Sequence, residues 1–552
     1  MLEENEIMNE KGLIAYYRQS FQQNKNLLLF SDYEGINYSY EDAAKLIYQI
    51  HGFFEKCGLA KGDKVALLGR NSSHWGITFL ATISYGAVAV PILPDFNPAD
   101  VHHIVGHSES KILFAGDQLL EKLDLKEMPQ LEAVLSLQRM DPVWAKTAEI
   151  LNFWRQPDQK RAPFDFDNLM PNELEEEDIC VISYTSGTSG FTKGVLLPAR
   201  SLVSNIRFAR DHMPLKQGEK IVSFLPMAHV FGLLFEFLFP ATLGCHITFL
   251  TKAPTPQIIV KAFKEIQPHL ILSVPLVIEK IYNKQIQPAL EKPVMSFLLK
   301  VPGIRNLLYK KVRQKLVETF GGRFYEIVIG GAALNREVED FFRKIKFPFT
   351  IGYGMTECGP LISYQAWNKT QPHSAGALVD RMQLKIDSAD PYREVGEIMV
   401  KGPNVMEGYY KNPEATAQSI DDDGWLRTGD LGITDENNFI YIRGRSKNML
   451  LGPSGQNIYP EEIEAKISSQ HFVLECVVVD REGKLVALVY PDYDSLQVHN
   501  HNTPEYVSHV MEEYRVKVNK ELAKYSQISK IELVETEFEK TPKRNIKRFL
   551  YT

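Results

Sequence analysis

The densest run of phosphate-suited groups in the chain is Tyr184-Thr185-Ser186-Gly187-Thr188-Ser189-Gly190-Phe191-Thr192-Lys193-Gly194-Val195. Three glycines let backbone N–H groups turn inward, and five Ser/Thr hydroxyls and Lys193 add donors. That donor set suits a polyphosphate. The run follows Ile179–Ser183, which reads as a buried strand, and precedes Arg200–Arg210, which reads as a helix. A flexible Ser/Gly linker would need neither Lys193 nor a buried strand ahead of it. The spacing is not G-x-x-x-x-G-K-[ST], because Gly194 follows Lys193.

Further along, Gly352-Tyr353-Gly354-Met355-Thr356-Glu357 combines an aromatic face with a carboxylate. The face suits a purine and the carboxylate a hard cation that bridges phosphates. Gly330-Gly331-Ala332-Ala333-Leu334 follows the strand-like Ile327–Ile329. Small side chains there let a flat ring approach the backbone, and a plain strand-to-helix turn would have the same composition. Trp425–Asp430 and Tyr441–Asn448 taken singly are turns and surface charges. Leu225–Gly232 contains His229 in an apolar setting, and a satisfied core histidine is the alternative there.

In this order and spacing the segments resemble the acyl-adenylate-forming superfamily, which includes acyl-CoA synthetases, peptide-synthetase adenylation domains and luciferases. The resemblance runs from about residue 25 to the end. It implies that Thr185, Ser186, Gly187, Thr188, Ser189, Gly190 and Thr192 bind the phosphates of ATP, with Lys193 among the catalytic groups. Gly331 and Ala332 would lie beside the adenine, and Tyr353, next to Gly354, would stack on it. Thr356 would contact phosphate, and Glu357 would hold Mg²⁺. Asp430 and Arg445 would hold the ribose, and Lys447 would be the hinge between two domains. His229, Phe231 and Gly232 would form the entrance to the acyl pocket, with His229 shielding the substrate carboxylate. Ser273–Ile281 is similar to the Val-Pro-x-Val-x-Glu-Lys-Ile segment of long-chain fatty acyl-CoA synthetases.

The resemblance therefore implies activation of a medium- to long-chain fatty acid with ATP to acyl-AMP, then transfer to coenzyme A. An acyl carrier protein is the alternative acceptor, and a catalytically weak acyl- or nucleotide-binding protein is the alternative outside the enzyme class. One motif departs from the pattern. The family's C-terminal lysine position falls on Asn545, with Lys543 and Lys547 two residues to either side. Lys543 is the expected substitute.

The elements that must position these groups follow from hydrophobic rhythm. Lys64–Leu68, Val88–Pro91, Ile112–Ala115 and Ala133–Leu137 read as short buried strands, and His74–Tyr85 as a helix between them. Alternation of this kind predicts α/β architecture with parallel sheets. Gly396–Tyr441 reads as a small β-rich unit, and the last hundred residues or so as a compact α+β unit. Its predicted order is helix 460–468, strands 473–479 and 485–489, helix 503–525 and strand 530–534. With the resemblance, the expected fold is two stacked α/β subdomains plus a small β-barrel in an N-terminal domain, 1–443, and an α+β lid, 444–552.

Length and composition are those of an ordinary globular protein and exclude a single small binding module. The 552 residues carry a net charge of −7, with no basic stripe that would mark a nucleic-acid partner. A dense basic cluster, Lys540–Arg548, reads equally as a solvated tail. Five scattered cysteines without a C-x-x-C pair point to a reducing compartment. Met1–Glu10 is acidic and lacks a signal-like apolar stretch. From Ile221 to Thr251 the only formally charged residue is Glu236, long enough to cross a bilayer, but Pro226, Gly232, Pro240 and Gly244 interrupt it. A buried loop, helix and strand is the expectation. The expected location is cytoplasmic, with peripheral membrane contact as a further expectation.

Overall fold

The computed structural model describes residues 12–154, 163–170, 172–186, 192–290, 292–451, 456–481, 483–498, 503–541 and 546–551. Strands Lys64–Leu68, Val88–Ile92, Ser110–Ala115 and Ala133–Ser136 pair in parallel. They form the middle of an eight-stranded sheet in the order 408–409, 192–198, 179–186, 88–92, 64–68, 110–115, 133–136, 142–145. A second set of strands, 37–39, 28–32, 246–249 and 220–223, pairs next to a parallel trio, 270–273, 326–329 and 349–351. The two meet where His269 N–H donates to the Lys220 carbonyl at 2.9 Å.

Helix Ser73–Tyr85 shows why the sheets stack. The Ser72 side chain caps its start by accepting from Trp75 N–H, and Gly86, at φ +89°, ends it. Nearly every residue between is buried. A Cβ at Gly76 would lie 3.2 Å from Phe237 and 3.4 Å from Phe30 and Phe249. The helix therefore presses its backbone against the second sheet while its ends connect strands of the first.

Ile221–Thr251 is the buried, interrupted segment the sequence implied: strand Lys220–Ser223, short helix Val230–Gly232, a π-helical stretch Leu233–Leu238, helix Phe239–Leu243 and strand His246–Phe249. No helix among the described residues is long and apolar enough to cross a membrane.

The expected small β-barrel is an open structure instead. Strands 383–387, 396–401, 426–434 and 440–445 form a four-stranded sheet, and 353–354, 361–364 and 377–378 a three-stranded one. Among the described residues they are joined around the isolated bridge Ala377 to Phe439, with Ala375 N–H donating to the Ile440 carbonyl at 2.8 Å beside it. Closure needs a ladder between the first and last strands, and among the described residues none links 353–354 to 383–387.

The C-terminal strands Val473–Arg481, Lys484–Pro491 and Ile528–Leu533 form one sheet, with helices Pro460–Ser468 and Pro504–Asn519 beside it. Ile463, Ile467, Val478, Val489, Val507 and Met511 fill a core separate from the main one. The second helix stops six residues short of the predicted 525. The Asn519 side chain accepts from Ile528 N–H at 2.8 Å and donates to its carbonyl at 2.8 Å, turning the chain into the last strand.

Candidate active site

Strand Thr192–Pro198 runs antiparallel to Ile179–Ser186, with Thr185 opposite Lys193. A Cβ on Gly194 would lie 2.9 Å from Ile182 and 3.3 Å from the Tyr184 ring, so the hairpin closes only over glycine. Gly187, Thr188, Ser189 and Gly190, between the strands, lie outside the described residues, as do the side chains of Ser186 and Thr192. Thr185 Oγ1 donates to the Lys193 carbonyl at 3.4 Å.

Strand Gly408–Tyr409 pairs with the outer edge of this hairpin, placing Tyr409 opposite Val195. The Tyr409 ring then serves two expected site residues. Lys193 Nζ sits 4.7 Å from its centroid, a cation–π distance. Its hydroxyl donates to Glu357 Oε1 at 2.9 Å. Glu357 follows Thr356 in the single 3₁₀ turn Thr356–Cys358, and its carbonyl accepts from Met406 N–H at 2.8 Å. Burial, then the Glu357 charge, pushes the Tyr409 phenol upward, so it remains a donor. Sequence reasoning missed Tyr409, because a Gly-Tyr pair in a turn-rich stretch carries no chemistry until its partners are known.

Tyr353 and Asp430 come together from distant strands. Tyr353 is 8% exposed and donates its hydroxyl to Asp430 Oδ2 at 2.7 Å. Arg445 Nε lies 2.9 Å from Asp430 Oδ1. Strand pairing sets that contact, since Asp430 stands opposite Arg445 in the register. Burial pushes the Asp430 carboxyl above its ordinary range, and Arg445 and the Tyr353 hydroxyl work against that. A Cβ at Gly354 would fall 2.1 Å from the Pro360 carbonyl, so no larger residue fits.

Phe231 reaches the small-residue loop. A Cβ on Gly330 would lie 3.1 Å from its ring. Gly331, at φ +86°, and Ala332 are exposed beside it. Gly232 permits the close turn there, since a Cβ would meet the Pro226 carbonyl at 2.8 Å. His229 is half-buried and leads the short helix Val230–Gly232. Glu279 accepts from Asn335 N–H at 2.9 Å, which ties helix Pro275–Gln285 to the chain just beyond that loop.

A buried node behind His229 also escaped the sequence. Glu236, in the π-helical stretch, is fully buried, and its Oε2 accepts from Phe224 and Leu225 N–H at 3.0 Å each. Asn71 donates to Ser223 Oγ and the Leu225 carbonyl and accepts from Met227 N–H. Burial holds the Glu236 carboxyl well above its usual range. Together the two side chains satisfy the backbone of the turn that leads to His229. The missed signal was Glu236 as the only formal charge in a long apolar segment.

Lys447 is exposed in the turn Ser446–Asn448. Contacts to helix Pro460–Ser468 bracket it: Arg443 with Glu462 at 3.6 Å, and Asn448 Nδ2 donating to Glu461 at 2.6 Å. In the last segment, Lys540 pairs with Glu475 and Glu537, and Lys547 Nζ lies 3.3 Å from Glu539. Lys543 and Asn545 lie outside the described residues.

Among the described residues there is no group of three or more metal-suited side chains. Glu357 is a single half-buried carboxylate with Tyr409 on one oxygen. A lone carboxylate fits Mg²⁺, which keeps most of its ligands as water and substrate phosphate.

A family model for AMP-binding enzymes matches residues 17–410, and one for the AMP-binding enzyme C-terminal domain matches 448–551. The chain is 28% identical over 524 residues to the probable acyl-activating enzyme 16, chloroplastic, of Arabidopsis thaliana, covering 80% of this chain and 71% of that one. It is 28% identical over 473 residues to the long-chain-fatty-acid–CoA ligase FadD15 of Mycobacterium bovis, covering 80% and 75%. ATP-bound MatB from Rhodopseudomonas palustris shares the fold, with a TM-score of 0.76 at 20% identity over 98% of each chain. With the family models spanning most of the sequence and both of its parts, the chain belongs to the AMP-binding enzyme family, the adenylate-forming ligases.

Proposed function

We propose that this protein activates a medium- to long-chain fatty acid with ATP and transfers the acyl group to coenzyme A. The observation that carries this reading is the approach of the Phe231 ring to Gly330, where a Cβ would lie 3.1 Å from it. It brings an apolar wall to the loop expected to hold the nucleotide, so that one carboxylic acid could lay its chain on the wall and its head at the phosphates. Relatives named as long-chain-fatty-acid–CoA ligases support the choice of acid.

In this reading the acid's carboxylate attacks the α-phosphorus of ATP, pyrophosphate leaves, and the thiol of coenzyme A then displaces AMP from the acyl carbon. Asp430 and Arg445 hold the ribose. Lys193 and the hairpin around it meet the phosphates. Both reacting groups are anions, so fixed donors matter more here than in an attack by a neutral nucleophile. Tyr409 fixes Lys193 and Glu357 relative to each other, which limits the reorganisation needed as charge moves. Mg²⁺ held at Glu357 would supply charge neutralisation at the phosphates. His229 screens the carboxylate on the acyl side. Rotation about Lys447 exchanges the lid between the two half-reactions.

The test is pyrophosphate release and AMP formation with carboxylic acids of graded chain length, with and without coenzyme A. Release that peaks with medium or long acyl chains, with AMP formation requiring coenzyme A, supports the reading. Preference for short or aromatic acids would overturn the substrate class, and no release with any acid would overturn catalysis.

A further inference from the structure

Helices Pro293–Leu298 and Pro302–Thr319 present apolar side chains that none of the described residues covers. Phe297 is 66% exposed and Leu307 57%, and Val301 and Ile304 are exposed between them. Single exposed apolar residues are ordinary, but here four such side chains stand within eleven residues of chain. The longer helix is apolar on two sides. Tyr309, Val312 and Leu316 pack on the main core. Ile304 and Leu307 lie on the outer side, and the 3.6-residue repeat carries Lys311 and Lys315 onto the same face.

Charge identifies the occupant. From 292 through 317 the sequence contains no Asp or Glu. Lys300, Arg305, Lys310, Lys311 and Lys315 are all exposed. Among the described residues none of them makes an ion pair. A protein partner presents a polar, hydrogen-bonding rim, whereas from 292 through 317 this surface offers only positive charge around protruding apolar side chains, with Glu318 at its far end accepting from Gln314. Long cationic side chains can lay their stems on apolar surface and keep their heads at a charged layer. We propose that the face formed by Phe297, Val301, Ile304 and Leu307, with its surrounding lysines, docks on an anionic lipid surface.

The location is informative. Helix Pro275–Gln285 starts beside Gly331, where Val274 stands 3.8 Å from the position of a Cβ, and runs on into the segment that carries the patch. One wall of the proposed acyl site is thus continuous in the chain with the docking face. The docking proposal does not depend on the substrate reading, because lipid binding is measured without catalysis.

The experiment is co-sedimentation of the full chain with vesicles of phosphatidylcholine alone and of phosphatidylcholine with phosphatidylglycerol. Binding to the anionic vesicles, weakened by added salt, is expected. Lys310→Glu with Lys311→Glu should lower the vesicle partition coefficient at least ~10-fold, given the attraction of each cation near an anionic surface. Phe297→Ser with Leu307→Ser should lower it comparably through lost apolar insertion. Both double variants should keep pyrophosphate release on a soluble acid, which establishes that they are folded. Absence of wild-type binding to anionic vesicles would overturn the proposal. So would double variants that bind as wild type does, or binding only to an acidic carrier protein.

Discussion

Tyr409 donates its hydroxyl to Glu357 Oε1 at 2.9 Å while Lys193 lies over its ring at 4.7 Å. One aromatic side chain on a two-residue edge strand thereby joins an expected phosphate-binding lysine to an expected metal-binding carboxylate. Glu357→Gln should cut pyrophosphate release at least ~10²-fold, the scale of a lost electrostatic group. Tyr409→Phe keeps the ring over Lys193 and removes only the hydroxyl, so a smaller loss of about 10-fold is expected. The Mg²⁺ concentration for half-maximal rate should rise in Tyr409→Phe. Wild-type rates and Mg²⁺ dependence would separate Tyr409 from the site.

Asp430 is held from both sides, by Tyr353 and by Arg445. Asp430→Ala should weaken ATP binding by roughly 1.5–3 kcal/mol, the range for hydrogen bonds to a charged group. Tyr353→Phe should cost less, since Arg445 still positions the carboxylate. Calorimetric titration with ATP measures both, and unaltered affinity in Asp430→Ala would sink the ribose assignment.

Glu236 should act as a neutral acceptor for two backbone N–H groups. Glu236→Gln keeps an acceptor oxygen and should leave stability nearly unchanged at neutral pH. Glu236→Leu orphans both donors and should destabilise the protein by roughly 2–5 kcal/mol, measured by denaturant unfolding. Equal stability of the two variants would contradict the role.

His246 gives a pH dependence with a definite sign. Its Nε2 is 2.7 Å from Ser31 Oγ, and burial, then Lys220, pushes the imidazole down to about 4 from 6.5. Below pH 6.5 the unfolded chain takes up a proton that the folded chain refuses until pH falls to about 4. This contribution to stability is present at neutral pH and should be lost as pH falls across that window, by roughly 3 kcal/mol in all. His246→Asn should flatten the slope between pH 7 and pH 4.5 by about that amount. An unchanged slope would refute the assignment.

Lys547 is paired with Glu539, which leaves Lys543 as the expected substitute for the family lysine aligned with Asn545. Lys543→Ala should abolish acyl-AMP formation and spare thioester formation from supplied acyl-AMP, whereas Lys547→Ala should change little. If Asn545→Lys instead raises adenylation about tenfold, worth about 1.4 kcal/mol of barrier, the lysine is missing and not replaced.

The sequence by itself determined many of the elements, and its resemblance to a known family supplied the expected chemistry. Strand Lys64–Leu68 and helix Pro460–Ser468 appear with the bounds that hydrophobic rhythm predicted, because burial on one face or both is written in the order of residue types. The expected roles of Asp430, Arg445, Tyr353 and Glu357 came from the resemblance to the acyl-adenylate-forming superfamily, which the order of their motifs along the chain carries. Tertiary structure alone decided which side chains meet. Tyr409 reaches Glu357 because an edge strand pairs with strand Thr192–Pro198, and Glu236 reaches the turn before His229 through a π-helical stretch. It also decided that the strands 353–445 stay open and that Ile304 and Leu307 face outward while Tyr309 and Leu316 face in. Composition and local periodicity fix what a segment can bury. Which partner it buries against depends on contacts between residues far apart in the chain, and those exist only once the fold has formed.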